Sequence, residues 1–301
     1  MKLFNLKGSL FITIAALMYG FYGVFFRLLE GYDVFYSTYV RSFVIVAILL
    51  IMGLYQKSFK KIDKEDFKGY AIVLLFTVFT VAPVTYAYRY LELGTASFLF
   101  YASLTISSYI FGGLFFAEKF DSIKIISLVL SLVGMIFVFA VKIPQGLLFP
   151  VLMCILNGLA SSGEIVFSKY ISAKYSGIQI TLLVFLAIAV THLVISLLLG
   201  ENQNLNLLTV DLFLLLLFSI CAIIGMVAVI AGFKLLEPSI GAIIGLSEIV
   251  FTFILGVLFF NDKIGAQILI GGLIIVIAAA LPNIYDLYIL KFSKSSKLSS
   301  L

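Results

Sequence analysis

Residues 89–119 read RYLELGTASFLFYASLTISSYIFGGLFFAEK, and residues 234–263 read KLLEPSIGAIIGLSEIVFTFILGVLFFNDK. Each stretch opens on a cation with Leu-Glu close behind it. Small residues follow, then a long apolar run, then Leu-Phe-Phe before an acid and a lysine. The two copies lie about 145 residues apart in a chain of 301, so the protein is one half written twice. A repeat of this kind decides the architecture before any local detail does.

Composition sets the solvent. The chain is 63% hydrophobic and 12% charged, with a mean hydropathy of +1.20. A soluble domain carries roughly twice that charged fraction, so the expected class is an all-α integral membrane protein with the lipid bilayer as its surroundings. A net charge of +5 fits lysines in cytoplasmic loops and calls for no nucleic acid. Cys154 and Cys221 both sit in apolar runs and read as small packing residues rather than a disulfide or metal pair.

Apolar segments of about 20 residues, enough to cross ~30 Å of hydrocarbon, fall at 8–28, 34–54, 69–90, 95–116, 123–141, 146–168, 178–199, 210–233, 239–260 and 265–285. The first is too long for a signal peptide and lacks a clear cleavage site, so it reads as a spanning helix. Ten segments make five per half. Five is odd, so the second half enters from the opposite side and the halves form two inverted five-helix repeats, an arrangement typical of alternating-access transporters. The expected division is 1–142, 143–287 and a cytoplasmic tail at 288–301, read as disordered from Lys291. With the N-terminus inside, fifteen of the 20 basic residues lie on the inner side. That asymmetry predicts cytoplasmic termini.

Three stretches carry a family likeness: Ala87–Ala96 (AYRYLELGTA), its echo Ala231–Gly241 (AGFKLLEPSIG), and the closing Phe116-Ala117-Glu118. With the repeat spacing, the chain resembles the EamA branch of the drug/metabolite transporter superfamily over nearly its whole length. Arg41 matches a position where that family often carries arginine. Phe260-Asn261-Asp262 departs from the usual Gly-Glu. The resemblance implies secondary transport of a small metabolite, commonly export. The path would be a cavity lined by helices one to four and six to nine, with helices five and ten as scaffold.

Glu248 is the most informative side chain. It lies near the bilayer centre on a face with Gly241, Gly245 and Thr252, and a charge there costs several kcal/mol unless paired, protonated or wet. It reads either as a proton- or substrate-binding group or as a neutral acid bonded to a neighbouring helix. Glu164 belongs to a polar stripe with Asn157, Ser161 and Ser168 that must face protein or water, and Lys169 stands close enough along the chain to neutralise it. Arg41 lies about two turns into the second helix. It can snorkel outward on its own stem or present its fork to a substrate carboxylate or phosphate.

His192, the only histidine, reads as packing glue or a proton relay. Tyr101, Thr105 and Ser108 form a hydroxyl face on the fourth helix, and Tyr22 is a further candidate for the cavity. Pro83 removes a backbone donor and predicts a hinge. Ala16, Gly20 and Gly23 predict tight packing of the first helix. Arg89 and Glu92 read as a pair in a structural turn, and Glu118 and Asp121 as ordinary loop acids.

These residues describe a secondary active transporter of a small metabolite, amino-acid-like if acid and arginine share one cavity, working without a cofactor and using protons in its cycle. It would act in the plasma membrane as a monomer or homodimer, most simply as an exporter. A broad exporter of lipophilic cations is the alternative within transport. A membrane-embedded enzyme or a receptor is the alternative outside it. One histidine rules out an HExxH or His-cluster metal site, and neither a GxSxG elbow nor a GxxxxGK[ST] loop occurs. No catalytic or metal residue is expected.

Overall fold

A backbone in hydrocarbon has no water to bond, so each crossing must satisfy its own N–H and C=O groups. The chain does this with helices alone. A computed structural model describes residues 5–29, 31–140, 146–203 and 209–298, and no strand occurs among them. The helices are α1 (Leu6–Leu28), α2 (Val34–Tyr55), α3 (Phe67–Thr77), α4 (Ala82–Ala87), α5 (Leu93–Phe116), α6 (Ser122–Phe139), α7 (Leu148–Ser172), α8 (Gly177–Leu199), α9 (Thr209–Leu235), α10 (Pro238–Gly245), α11 (Ser247–Phe260) and α12 (Ala266–Leu298). Because α3–α4 and α10–α11 are each one crossing, ten helices are long and apolar enough to span a membrane. They form two inverted repeats, and after ten crossings the start of α1 and the end of α12 lie on one face, here the terminal face. Lys2, Lys142 and the boundary at 142/143 lie outside the described residues.

Local chemistry sets the ends. Asn5, Asp121 and Ser176 each accept the N–H three residues on (3.0, 2.9 and 3.1 Å) and so cap α1, α6 and α8. The repeated stretches close on the same turn. Ala117 and Asn261 are left-handed, at φ 51° and 55°. In the first copy the N–H groups of Ala117 and Glu118 both reach the carbonyl of Gly112; in the second, those of Asn261 and Asp262 reach Gly256. A Cβ on either glycine would strike the acid's carboxylate. The Asn-Asp departure from the family pattern therefore preserves the backbone, and asparagine tolerates that conformation better than alanine.

The halves interlock. α1 packs on α9 and α11, while its counterpart α7 packs on α3, α4 and α5; α2 meets α8, and α6 meets α12. Small residues permit close crossings. A Cβ on Gly20 would lie 3.0 Å from Phe251 Cβ, and one on Gly23 would lie 3.3 Å from Thr252 Cγ2, as the small-residue face of α1 predicts.

Two crossings are broken mid-membrane. The third unwinds over Val78–Val81, just before the expected hinge at Pro83. The ninth breaks at Leu246, which the sequence reading does not anticipate. There the Leu246 N–H is shared between the Ala242 and Ile243 carbonyls (3.3 and 3.1 Å), and Ser247 Oγ donates to Ile244 O at 2.7 Å. The expected disordered tail is a second correction. α12 runs to Leu298, with no glycine or proline after Pro282 to stop it.

Candidate functional site

The break at Leu246 positions Glu248. The carboxylate stands in the first turn of α11, where the positive end of a helix favours negative charge. Tyr101 on α5 donates its hydroxyl to Glu248 Oε1 at 2.9 Å, so the first repeat is bonded to the second near the membrane centre. Glu248 is half-buried. Beside it, a Cβ on Gly245 would meet nothing nearer than Ile12 Cγ2 at 4.0 Å, so there is room at the carboxylate.

Tyr22 on α1 packs beside Arg41. The guanidinium carbon of Arg41 lies 3.9 Å from the ring centroid of Phe218, 5.4 Å from that of Tyr22 and 5.8 Å from that of Phe26. Arg41 is only 7% exposed, its Nε has no hydrogen-bond partner, and no acid pairs with it among the described residues. The side chain thus lies among these rings, inside the protein. The aromatic faces hold the cation inside, and the guanidinium edge is left for an anion. Tyr19 packs edge-on to Tyr22 at 5.3 Å.

The other candidates divide between this region and the scaffold. Glu164 is buried with Oε2 unpartnered. Lys169 Nζ donates to the Leu236 carbonyl and lies 5.8 Å from the Phe116 centroid. Asn157 accepts the Val84 N–H at 3.4 Å, a bond to the broken third crossing, and Ser161 is half-buried one turn on. Thr105 donates to Tyr101 O (2.8 Å). Ser108 donates to Leu104 O (2.9 Å) and meets Ser162 Oγ at 2.8 Å. These hydroxyls join α5 to itself and to α7. His192 is fully buried, with Nδ1 2.8 Å from Ile188 O and its ring 5.7 Å from that of Phe35; Nε2 has no partner. No ion pair joins Arg89 to Glu92 among the described residues. Glu92 and Glu237 instead hold the first-cap positions of α5 and α10 in matching extended backbone.

Glu118 is the largest correction among the loop acids. It is buried, takes Lys124 Nζ at 3.1 Å, and accepts both the hydroxyl and the N–H of Ser239. Lys124 also reaches Glu237 at 2.6 Å. This network ties the two repeats together on the terminal face. Burial lifts the Glu118 carboxyl above its ordinary value, against the opposing effect of the Ser239 and Lys124 bonds. On the opposite face Arg27 pairs with Asp262 at 2.8 Å. There Tyr32 donates to Asp211 at 2.6 Å, and that bond pushes its phenol up to about 12.

The sequence reading selects Tyr22 but not Tyr19, although their i, i+3 spacing puts both rings on one helix face. Nothing periodic in α9 singles out Phe218.

Two copies of one family profile match the chain, at residues 6–140 and 148–284, and its description is the EamA-like transporter family. No curated protein matches. Among solved structures, a crystal structure described only as that of a protein superposes with a TM-score of 0.76 at 14% identity. It covers 91% of this chain and 97% of its own. At that identity the likeness speaks for the fold alone.

Proposed function

The chain belongs to the EamA-like transporter family, and on that premise we propose that it is a secondary active transporter of a small, amino-acid-like metabolite. It would work by alternating access as an exporter, and not as an enzyme. It would sit in the plasma membrane with both termini cytoplasmic, as the positive-inside asymmetry favours.

The observation that carries this reading is the Tyr101–Glu248 bond at 2.9 Å. It joins the inverted repeats at the depth where such transporters hold their substrates. A substrate ammonium or a proton would take the Glu248 carboxylate, and Tyr101 would release or keep its bond as the repeats move. A substrate carboxylate would dock on the unpaired edge of Arg41, with Tyr19 and Tyr22 between the two charges. A buried arginine that cannot shed its proton is a poor wall for a lipophilic cation, which disfavours the drug-exporter alternative.

The test is counterflow in proteoliposomes made with the purified protein. Vesicles loaded with unlabelled amino acids should accumulate the labelled form of one group of them, and Glu248→Gln should abolish the exchange. Exchange that is indifferent to Glu248→Gln, or its absence for every amino acid alongside exchange of lipophilic cations, would overturn the proposal.

A further inference from the structure

Glu164 is 7% exposed, and its Oε2 has no hydrogen-bond partner among the described residues. Its neighbour Gly163 packs on Phe76, the residue before Thr77, which ends α3. A Cβ on Gly163 would fall on that ring. Two turns earlier on α7, Asn157 holds the Val84 N–H of α4. α7 therefore bridges the break in the third crossing, and the unwound residues Val78–Val81 run alongside the stretch between Asn157 and Glu164.

That break is rich in unused acceptors. The carbonyls of Val78, Phe79 and Thr80 accept no hydrogen bond among the described residues. Pro83 has no N–H to offer Phe79, and Val84 has turned to Asn157. The Thr77 hydroxyl spends its proton on Val73 O (2.9 Å) and keeps its lone pairs. α3 also directs its C-terminal, partly negative end here. The buried Glu164 carboxylate thus stands on the helix that bridges this break, beside a hydroxyl and a run of carbonyls left without donors, and no cation is paired with it among the described residues. The nearest lysine along α7, Lys169, donates to Leu236 O.

We propose that this is a sodium site, formed by Glu164, Thr77 and the freed carbonyls of Val78–Thr80. All-oxygen donors suit a hard ion. A single carboxylate balances one positive charge, whereas a divalent ion calls for more, and Glu248, half-buried on α11, is engaged by Tyr101. Unwound carbonyls at the C-terminal end of a half-helix are a recurrent way to bind sodium within a membrane. Occupancy would fasten α4 to α3 through α7, so the ion would set the angle of the third crossing. The site is built on α3 and α7 and the segment after α3, whereas Glu248 and Arg41 stand on α11 and α2, and it stands whether or not an amino acid binds there.

The test uses the purified full-length chain in detergent. Equilibrium binding of 22Na+ is measured alongside melting temperature in sodium chloride and in choline chloride of equal ionic strength. The wild type should bind one ion per chain and gain about 2–4 °C in sodium at roughly tenfold over Kd. Glu164→Gln should lose both effects while remaining monodisperse, and Glu248→Gln should keep both. Thr77→Val, which removes one ligand without touching the acid, should weaken binding and serves if the Gln variant fails to fold. Absence of 22Na+ binding to folded wild type, or binding that survives Glu164→Gln or is unchanged by Thr77→Val, overturns the proposal.

Discussion

Glu118, from the first repeat, accepts the backbone N–H of Ser239, from the second, at 3.3 Å. Its counterpart Asp262 makes no such bond among the described residues and pairs instead with Arg27, whose side chain is 54% exposed. The two faces of the protein are therefore closed by different chemistry. The terminal face has a buried, charge-assisted junction and the opposite face a solvated one. Exposed pairs contribute little, whereas breaking a buried network leaves a charge stranded.

The pH response of that junction has a definite sign. Burial raises the Glu118 carboxyl above its unfolded value, so the folded state holds the proton more tightly. The resulting stability is complete below about pH 4 and is lost as pH rises through the raised value. Melting temperatures of the wild type and Glu118→Gln, compared from pH 4 upward, should show the wild type losing ground. A constant difference, or one that grows with pH, contradicts the assignment.

Tyr101→Phe removes one hydrogen bond to a carboxylate and little else. Such bonds contribute about 1.5–3 kcal/mol, so the apparent substrate affinity in proteoliposome exchange should change by tenfold or more. An unaltered KM would place Tyr101 outside the site.

Arg41→Lys keeps the charge but loses the planar fork and most of the stacking on Phe218. For a substrate carboxylate held by the fork, KM should rise by about 10–100-fold with a smaller effect on kcat. If lysine serves as well as arginine, Arg41 acts only as a charge or as packing.

Gly158→Ala examines the α5–α7 crossing. The added Cβ would fall on the Phe100 carbonyl and 2.7 Å from Ser103 Cβ. Overpacking of this kind costs about 1–3 kcal/mol, which corresponds to a drop of several degrees in melting temperature. A variant as stable as wild type would mean that the two helices separate easily.

Much of this molecule was legible in its sequence. Hydropathy carries the ten crossings because lipid leaves few alternatives to a helix, and the offset between copies carries the repeat. Glu248 and Arg41 stand out because charge in hydrocarbon needs a reason. What stays hidden depends on contacts distant in sequence. Glu118 looks like a loop acid until Ser239, 121 residues later, is packed against it. Phe218 is one ring among 30 phenylalanines, chosen only by where α9 crosses α2. The break at Leu246 has no proline to announce it; Gly245 and the Ser247 side chain suffice.

The interlocked packing of α1 also governs how the protein is made. The helices it packs on, α9 and α11, are the eighth and ninth crossings to be synthesised. At about 5–20 residues per second, the first helix spends some tens of seconds in the bilayer before its neighbours emerge. During that interval its small-residue face meets only lipid, membrane chaperones or other nascent chains. Premature termination anywhere before α9 should therefore leave a fragment for quality control to clear rather than a working half-transporter.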